Sequence, residues 1–245
     1  MKGLWRVLYA TLLFSMVETQ AHAAVSVIGT RVIYPEQSKQ VSVRLSNAGK
    51  TPALVQTWID IGDSNAKPET LNVPFMIMPP VSRIEAGKSQ TLRVVYTQQP
   101  LPQDRESVYW LNVLDIPPKP QATEEPKNLL QIAYRTRIKL FFRPAGLKGD
   151  PAAAPAQVKW SVVKTDHGYA LRGENPTAFT VSYAALAMEA AGHKFQAETG
   201  MIKPFEVEQF PFTSTPSAPM PHPLKIDYSA INDYGGPISG QTSVP

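Results

Sequence analysis

The chain of 245 residues contains no cysteine. Disulfide frameworks, thiolate metal sites and cysteine nucleophiles are therefore excluded. Histidine is scarce too. Beyond residue 23 only His167, His193 and His222 occur, far apart and without His-x-x-x-His spacing, so no metal centre is expected. No Gly-x-Ser-x-Gly elbow, phosphate-cradling P-loop or dinucleotide fingerprint appears, which speaks against an enzyme and against ATP use. Carboxylates are plentiful, but nothing in their spacing marks an acid–base pair. An excess of one charge is also missing. The 24 Lys and Arg against 20 Asp and Glu leave +4, too little and too scattered for a nucleic-acid partner. Nowhere does an apolar run reach the about 20 residues of a membrane-spanning helix.

What is present begins with an export signal. Lys2 and Arg6 give a basic start, Val7 to Val17 is a mostly apolar run of eleven residues, and Ala21-His22-Ala23 has the small-x-small form that signal peptidase accepts. Residues 1–23 are read as a signal peptide cleaved before Ala24. Its removal takes the two cations Lys2 and Arg6 and the anion Glu18, and leaves +3.

The 24 prolines are roughly twice the average usage and break long helices, favouring short strands joined by turns. Val25, Val27 and Val32-Ile33 read as a first strand ended by Pro35. Val41, Val43 and Leu45 alternate with Ser42, Arg44 and Ser46, and the turn Asn47-Ala48-Gly49 closes them. Leu54 to Ile61, Leu92 to Tyr96 and Val108 to Ile116 follow. The run Phe75 to Met78 is fenced by Pro74 and Pro79-Pro80, which suits a sheet edge. Trp58 and Trp110 fall inside strand patterns and are expected in the core. This spacing of strands over about 120 residues predicts an immunoglobulin-like sandwich for residues 24–144. The Ala/Pro-rich stretch 145–155 reads as a linker. A second strand-rich region, 156–245, includes Trp160 to Val163, Tyr169 to Arg172, Phe179 to Leu186, Phe205 to Phe210 and Leu224 to Ile226. Pro237 to Pro245 read as a frayed tail.

Leu129 to Arg143 is the most informative segment. Leu130, Ile132, Tyr134, Ile138, Leu140 and Phe142 alternate with Gln131, Arg135, Arg137, Lys139 and Arg143, and Thr136 interrupts the apolar row. A strand of that length would span roughly 50 Å, far beyond the usual five or six residues. Two readings stand. The segment is either two strands parted by a bend near Thr136, or an edge strand that outruns its own sheet and offers backbone and apolar side chains to another chain.

The stretch Leu101-Pro102-Gln103-Asp104-Arg105-Glu106-Ser107-Val108-Tyr109-Trp110-Leu111-Asn112-Val113-Leu114-Asp115-Ile116-Pro117 resembles, without a gap, the signature of the PapD-like periplasmic pilus chaperones. Gly29-Thr30-Arg31, Pro79-Pro80-Val81-Ser82-Arg83, Thr136 to Pro144, Glu174-Asn175-Pro176-Thr177 and Ile231 to Gly235 are similar to that family as well. The resemblance implies an all-β fold, two immunoglobulin-like sandwiches in a boomerang, and a periplasmic chaperone that works without ATP, nucleic acid or cofactor. Its partners would be pilus subunits, bound by donor-strand complementation and delivered to an outer-membrane usher. Whether the exposed edge strand is capped by self-association before a client arrives is left open by the sequence. By motif position, Arg31 and Lys139 would anchor the client's C-terminal carboxylate. Leu130, Ile132 and Tyr134 would fill the client's groove, and Glu106, Arg143 and Asp233 would form an inter-domain salt-bridge cluster. The chain departs from the family at Ala178-Phe179, where Pro-aromatic is common, and lacks the C-terminal cysteine pair of some members. Its short polar segment after Pro118 matches the subgroup of adhesive pili.

Without the resemblance, a pilin or a sugar-binding sandwich remains a rival. A pilin should carry an N-terminal extension of alternating apolar residues, and a lectin should group exposed aromatics with Asp or Asn in loops. Neither pattern is found here.

Overall fold

A computed structural model of the chain describes residues 25–117, 131–166, 168–190, 192–214 and 224–244. The expected signal peptide, the polar segment after Pro118, Leu130, His167 and His222 lie outside these residues. The first sandwich is built from β1 (Val25–Val27), β2 (Arg31–Pro35), β3 (Val41–Asn47), β4 (Ala53–Asp60), β5 (Phe75–Met78), β6 (Val81–Ile84), β7 (Ser89–Tyr96), β8 (Ser107–Ile116) and β9 (Tyr134–Arg143). One sheet has the order β1-β3-β7-β5 and the other β2-β9-β8-β4-β6. The proline-fenced β5 does lie at a sheet edge.

Strict alternation places every second side chain between the sheets. Leu45, Leu92, Leu111 and Leu140 are fully buried there. Tyr34, Phe75, Tyr96 and Phe142 stack edge-to-face or tilted beside them. The Tyr34 hydroxyl is satisfied twice: it donates to the Ser38 carbonyl at 2.9 Å and accepts from the Tyr96 N–H at 3.1 Å.

Val25 to Pro35 is not one strand. β1 pairs with β3 in one sheet, and β2 pairs with β9 in the other. The chain crosses between them at Gly29, whose φ of 109° is open only to glycine at low cost. β9 is a single strand: its register with β8 runs unbroken from Ser107↔Phe142 to Asp115↔Tyr134, so there is no bend at Thr136. It is an edge only in part. Lys139–Arg143 are covered by β2, which runs parallel to them, whereas residues 134–138 pair with β8 alone.

The tryptophan expectation also needs correction. Tyr109, Leu111 and Val113 are the inward residues of β8, so Trp110 faces outward and is half-buried, as is Trp58 on β4. The core tryptophan is Trp160.

The second sandwich contains α1 (Ala154–Gln157) and β10 (Lys159–Thr165), β11 (Gly168–Glu174), β12 (Val181–Ala190), β13 (His193–Ala197), β14 (Met201–Ile202), β15 (Val207–Pro211), β16 (Leu224–Ile231) and β17 (Pro237–Val244). Its sheets are β10-β11-β15 and β13-β12-β16-β17, with β14 pairing to β12. Leu171, Leu186, Met188, Ile202 and Ile226 are fully buried between them. Ala154 and Pro155 are buried too, so the end of the expected linker belongs to the second core.

Pro237 to Val244 is not frayed. It pairs with β16 along its whole length. Ile238 packs on the second core and Val244 is buried, while Ser239, Gln241 and Ser243 face water. The alternation was hidden because Gly240 and Thr242, small or polar, occupy two of the inward places. Burying a carboxylate at position 244 should cost about 2–4 kcal/mol, and the same change on the wet face under about 0.5. Val244→Asp is therefore expected to lower the urea midpoint clearly and Ser243→Asp hardly at all; equal effects would mean that the strand does not pack.

Candidate functional site

The registers of β2-β9-β8-β4 align Arg31, Lys139, Trp110 and Asp60 in one row across the outer face of the sheet. This face meets the second sandwich. The Arg31 Nη1 donates to the Ile231 carbonyl at 2.9 Å, and the Lys139 Nζ donates to the Ser182 Oγ at 2.9 Å. The Arg31 guanidinium also lies 5.6 Å from the centroid of the Phe141 ring. Between the two domains is a cleft of about 410 Å³, walled by Arg31, Phe141, Arg143, Thr180, Ser182 and Asp233. Two buried atoms on its walls, Arg31 Nε and Thr180 Oγ1, have no hydrogen-bond partner among the described residues.

The electrostatics of the pair are adverse. Burial depresses the Arg31 guanidinium, against the pull of Asp233 and Glu106. Burial, then repulsion by Arg31, brings the Lys139 ammonium down to about 8 from 10.5. Two half-buried cations side by side, with bonding capacity left over, are relieved by one anion. A carboxylate has the right charge and accepts from a guanidinium fork and an ammonium together.

The sequence-predicted cluster is assembled. The Arg143 Nε donates to Glu106 Oε1 at 2.7 Å, while its Nη1 and Nη2 reach Asp233 Oδ2 and Oδ1 at 2.6 and 2.8 Å. The other Glu106 oxygen accepts from the Thr180 N–H at 2.8 Å, and the Glu106 N–H donates to the Ala178 carbonyl at 2.9 Å. Burial alone would lower the Arg143 pKa, but the two carboxylates raise it and hold the guanidinium charged. Burial lifts the Glu106 carboxyl, opposed by Arg143 and the Thr180 N–H. Such a network fixes the geometry between two bodies more than it adds stability. Beside it, Gly235 lets the turn after β16 approach the first domain: a Cβ there would lie 2.4 Å from the Thr30 Oγ1.

Of the expected groove-filling residues, Ile132 is 51% exposed and Tyr134 42% exposed. Tyr134 opens β9 in the row of Ile138, Leu140 and Phe142, and Ile132 lies two residues before the strand begins. Leu130 lies outside the described residues. Sequence reasoning missed Ser182 and the Ile231 carbonyl, for which no sequence signal existed. It also missed the outward turn of Trp110, which the parity of Tyr109, Leu111 and Val113 could have given. Among the described residues no cluster of three His, Asp or Glu could hold a metal, and no helix is long and apolar enough to cross a membrane.

Holding Lys139 charged inside the fold costs free energy. A pKa lowered to about 8 means that the penalty is complete below about pH 8. It fades up to 10.5, where the unfolded chain still holds a proton that the folded chain has released. Lys139→Met is expected to raise the unfolding free energy by about 1–3 kcal/mol at pH 7, with the gain shrinking between pH 8 and 10.5. Urea titrations across that range would detect it; a variant less stable than wild type at pH 7 would contradict the reading.

Comparison with known proteins gives a consistent picture. The family described as "Pili and flagellar-assembly chaperone, PapD N-terminal domain" matches residues 24–148, and "Pili assembly chaperone PapD, C-terminal domain" matches residues 153–242. The chain is 46% identical over 220 residues to the probable fimbrial chaperone YadV of Escherichia coli K12, covering 89% of each chain. It is 38% identical over 228 residues to the chaperone protein FimB/FhaD of Bordetella pertussis, covering 91% of this chain and 89% of the other. The crystal structure of YadV superposes with a TM-score of 0.78 at 42% identity, over 91% of this chain and all of that one. A Salmonella enterica structure of the SafA pilin in complex with the SafB chaperone matches with a TM-score of 0.72 at 28% identity, over 92% and 99%.

Proposed function

The chain belongs to the PapD family of pilus-assembly chaperones, and from that premise we propose that it captures pilus subunits by lending them the open half of β9 while Arg31 and Lys139 hold the client's C-terminal carboxylate. It is a fimbrial assembly chaperone, not an enzyme. The observation that carries the finer reading is the coincidence of two features. The pair of unrelieved cations stands at Lys139, where cover by β2 begins, and the bare edge of β9 extends from that point towards Tyr134.

A client strand with its carboxylate at Arg31 and Lys139 has its preceding residues along positions 138 to 132. It therefore runs parallel to β9, as β2 does. Its backbone pairs with the open edge, while Ile132 and Tyr134 enter the groove of the client. Burial of each exposed side chain offers about 1.5–3 kcal/mol before the cost of ordering. The fixed carboxylate sets the register, so each apolar residue meets its own pocket. Glu106, Arg143 and Asp233 hold the domains at the angle that keeps this platform open. The SafB relative, recorded with a bound pilin, supports the client class. In this reading the export signal at residues 1–23 delivers the chaperone to the periplasm, where it passes clients to an outer-membrane usher without ATP. In the absence of a client the same edge pairs with a second copy.

Affinity co-purification from the native periplasm, with bound proteins identified by mass spectrometry, tests the proposal. Wild type is expected to carry small subunits with pilin-like C-termini, and Lys139→Ala to carry none. Retention of clients at wild-type yield would remove the anchor assignment. Ile132→Asp is expected to cut capture at least about tenfold, since a charge in an apolar groove costs well over 1.4 kcal/mol. Ala133→Asp, of the opposite parity in the alternating sequence, should leave it nearly unchanged; equal losses would defeat the strand-facing argument.

A further inference from the structure

Trp110 lies in the same cross-sheet row as Arg31 and Lys139, on the outer face of the sheet. Its ring has two cations against it. The Arg137 guanidinium carbon is 4.2 Å from the ring centroid and the Lys139 Nζ is 5.5 Å from it, both within the range of cation–π attraction. Arg137 is itself immobilised. Its Nε and Nη2 fork onto Asp60 Oδ2 and Oδ1 at 3.1 and 2.5 Å. Asp60 also accepts from the Asn112 Nδ2 and the Gly62 N–H, both at 2.7 Å. Its side chain is 1% exposed. Burial would raise its pKa, but the donors from Arg137, Asn112 and Gly62 outweigh that and hold it below the usual carboxylate range. A carboxylate so fully engaged has no capacity left to draw Lys139 away from the cleft.

Lys139 therefore sits among cations. Arg31 faces it from β2, and Arg137 lies two residues away on its own strand. β8 presents Trp110 and β12 presents the uncharged Ser182. Of these neighbours, only the indole face and the Ser182 hydroxyl attract an ammonium. We propose that Trp110, clamped flat by the Asp60–Arg137 fork, is a positioning residue that holds the Lys139 ammonium at the cleft beside Arg31, ready for a carboxylate. The inference rests on the reading of Lys139 as a carboxylate anchor. It accounts for an aromatic residue on an outer sheet face, and for an ion pair held against that ring.

Two measurements separate the inference from the reading it rests on. The first is the titration of Lys139 in lysine-labelled protein by carbon-13 NMR, its signal assigned through Lys139→Arg. Wild type is expected to titrate near 8. Trp110→Leu, which removes the π face, should lower the midpoint by about half a pH unit or more, and Trp110→Phe should restore most of it. A Trp110→Leu midpoint equal to that of wild type would overturn the inference. The second is the affinity, by fluorescence anisotropy, of a twelve-residue peptide of alternating Val and Thr, with a free or an amidated C-terminus (the length being a choice of probe, about that of a long strand). Wild type should prefer the free acid, and Trp110→Leu should lose about threefold or more for the acid at pH 8 while binding the amide unchanged. Equal loss for both peptides would also overturn the inference. Equal binding of acid and amide by wild type would instead overturn the anchor reading, whatever the titration gives.

Discussion

β2 runs beside β9 for only five residues, Arg31–Pro35 against Lys139–Arg143, because Gly29 turns the preceding chain into the opposite sheet. The functional face depends on that short overlap. It sets two cations next to each other on neighbouring strands, where each raises the cost of the other. Among the described residues it also leaves the first half of β9 paired on one side only, at the place where its apolar side chains emerge from the core. Proteins ordinarily blunt such an edge. Here β8 supports it from one side only, and the alternation that fills the core simply continues into solvent.

Much of this was legible in the chain. The period-two pattern up to Phe142 does form one strand, but β9 begins at Tyr134 and has ten residues, shorter than the pattern from Leu129 had suggested. Register was not legible. Nothing in the order of residues says that Arg31 lies beside Lys139, or that Trp110 stands over both Arg137 and Lys139, since these alignments arise from pairings across many intervening residues. The place of Trp110 and Trp58 inside strand patterns suggests the core, but the parity of their neighbours carries the better information. The C-terminal strand was obscured for a similar reason. Its inward places are held by Ile238, Gly240, Thr242 and Val244, of which only two look apolar.

The polar groups between the domains divide into two kinds. Arg143 is saturated, with two carboxylates and a planar fork matched to both, and it ties β9 to the turn after β16. Arg31 and Lys139 are undersatisfied, each making one neutral contact to the second domain and keeping capacity in reserve. On the proposed reading, domain geometry falls to Arg143 and client capture to Lys139, four residues earlier on β9, with Arg31 beside it on β2. The reserve is destabilising in the free protein, which is a common property of sites shaped for a ligand rather than for the fold.

The parallel overlap of β2 with β9 has one more consequence. Past Lys139 the track along β9 is already occupied by the chain's own Arg31–Pro35. A strand laid on the open edge cannot continue through that point, because its next residue would collide with Arg31. An internal segment of a polypeptide, which must enter and leave, has no exit. A free C-terminus needs none. For the capture proposed above, the overlap is a stop that admits chain ends and rejects loops, and discrimination between finished and unfinished polypeptides then follows from backbone geometry before any side chain is read.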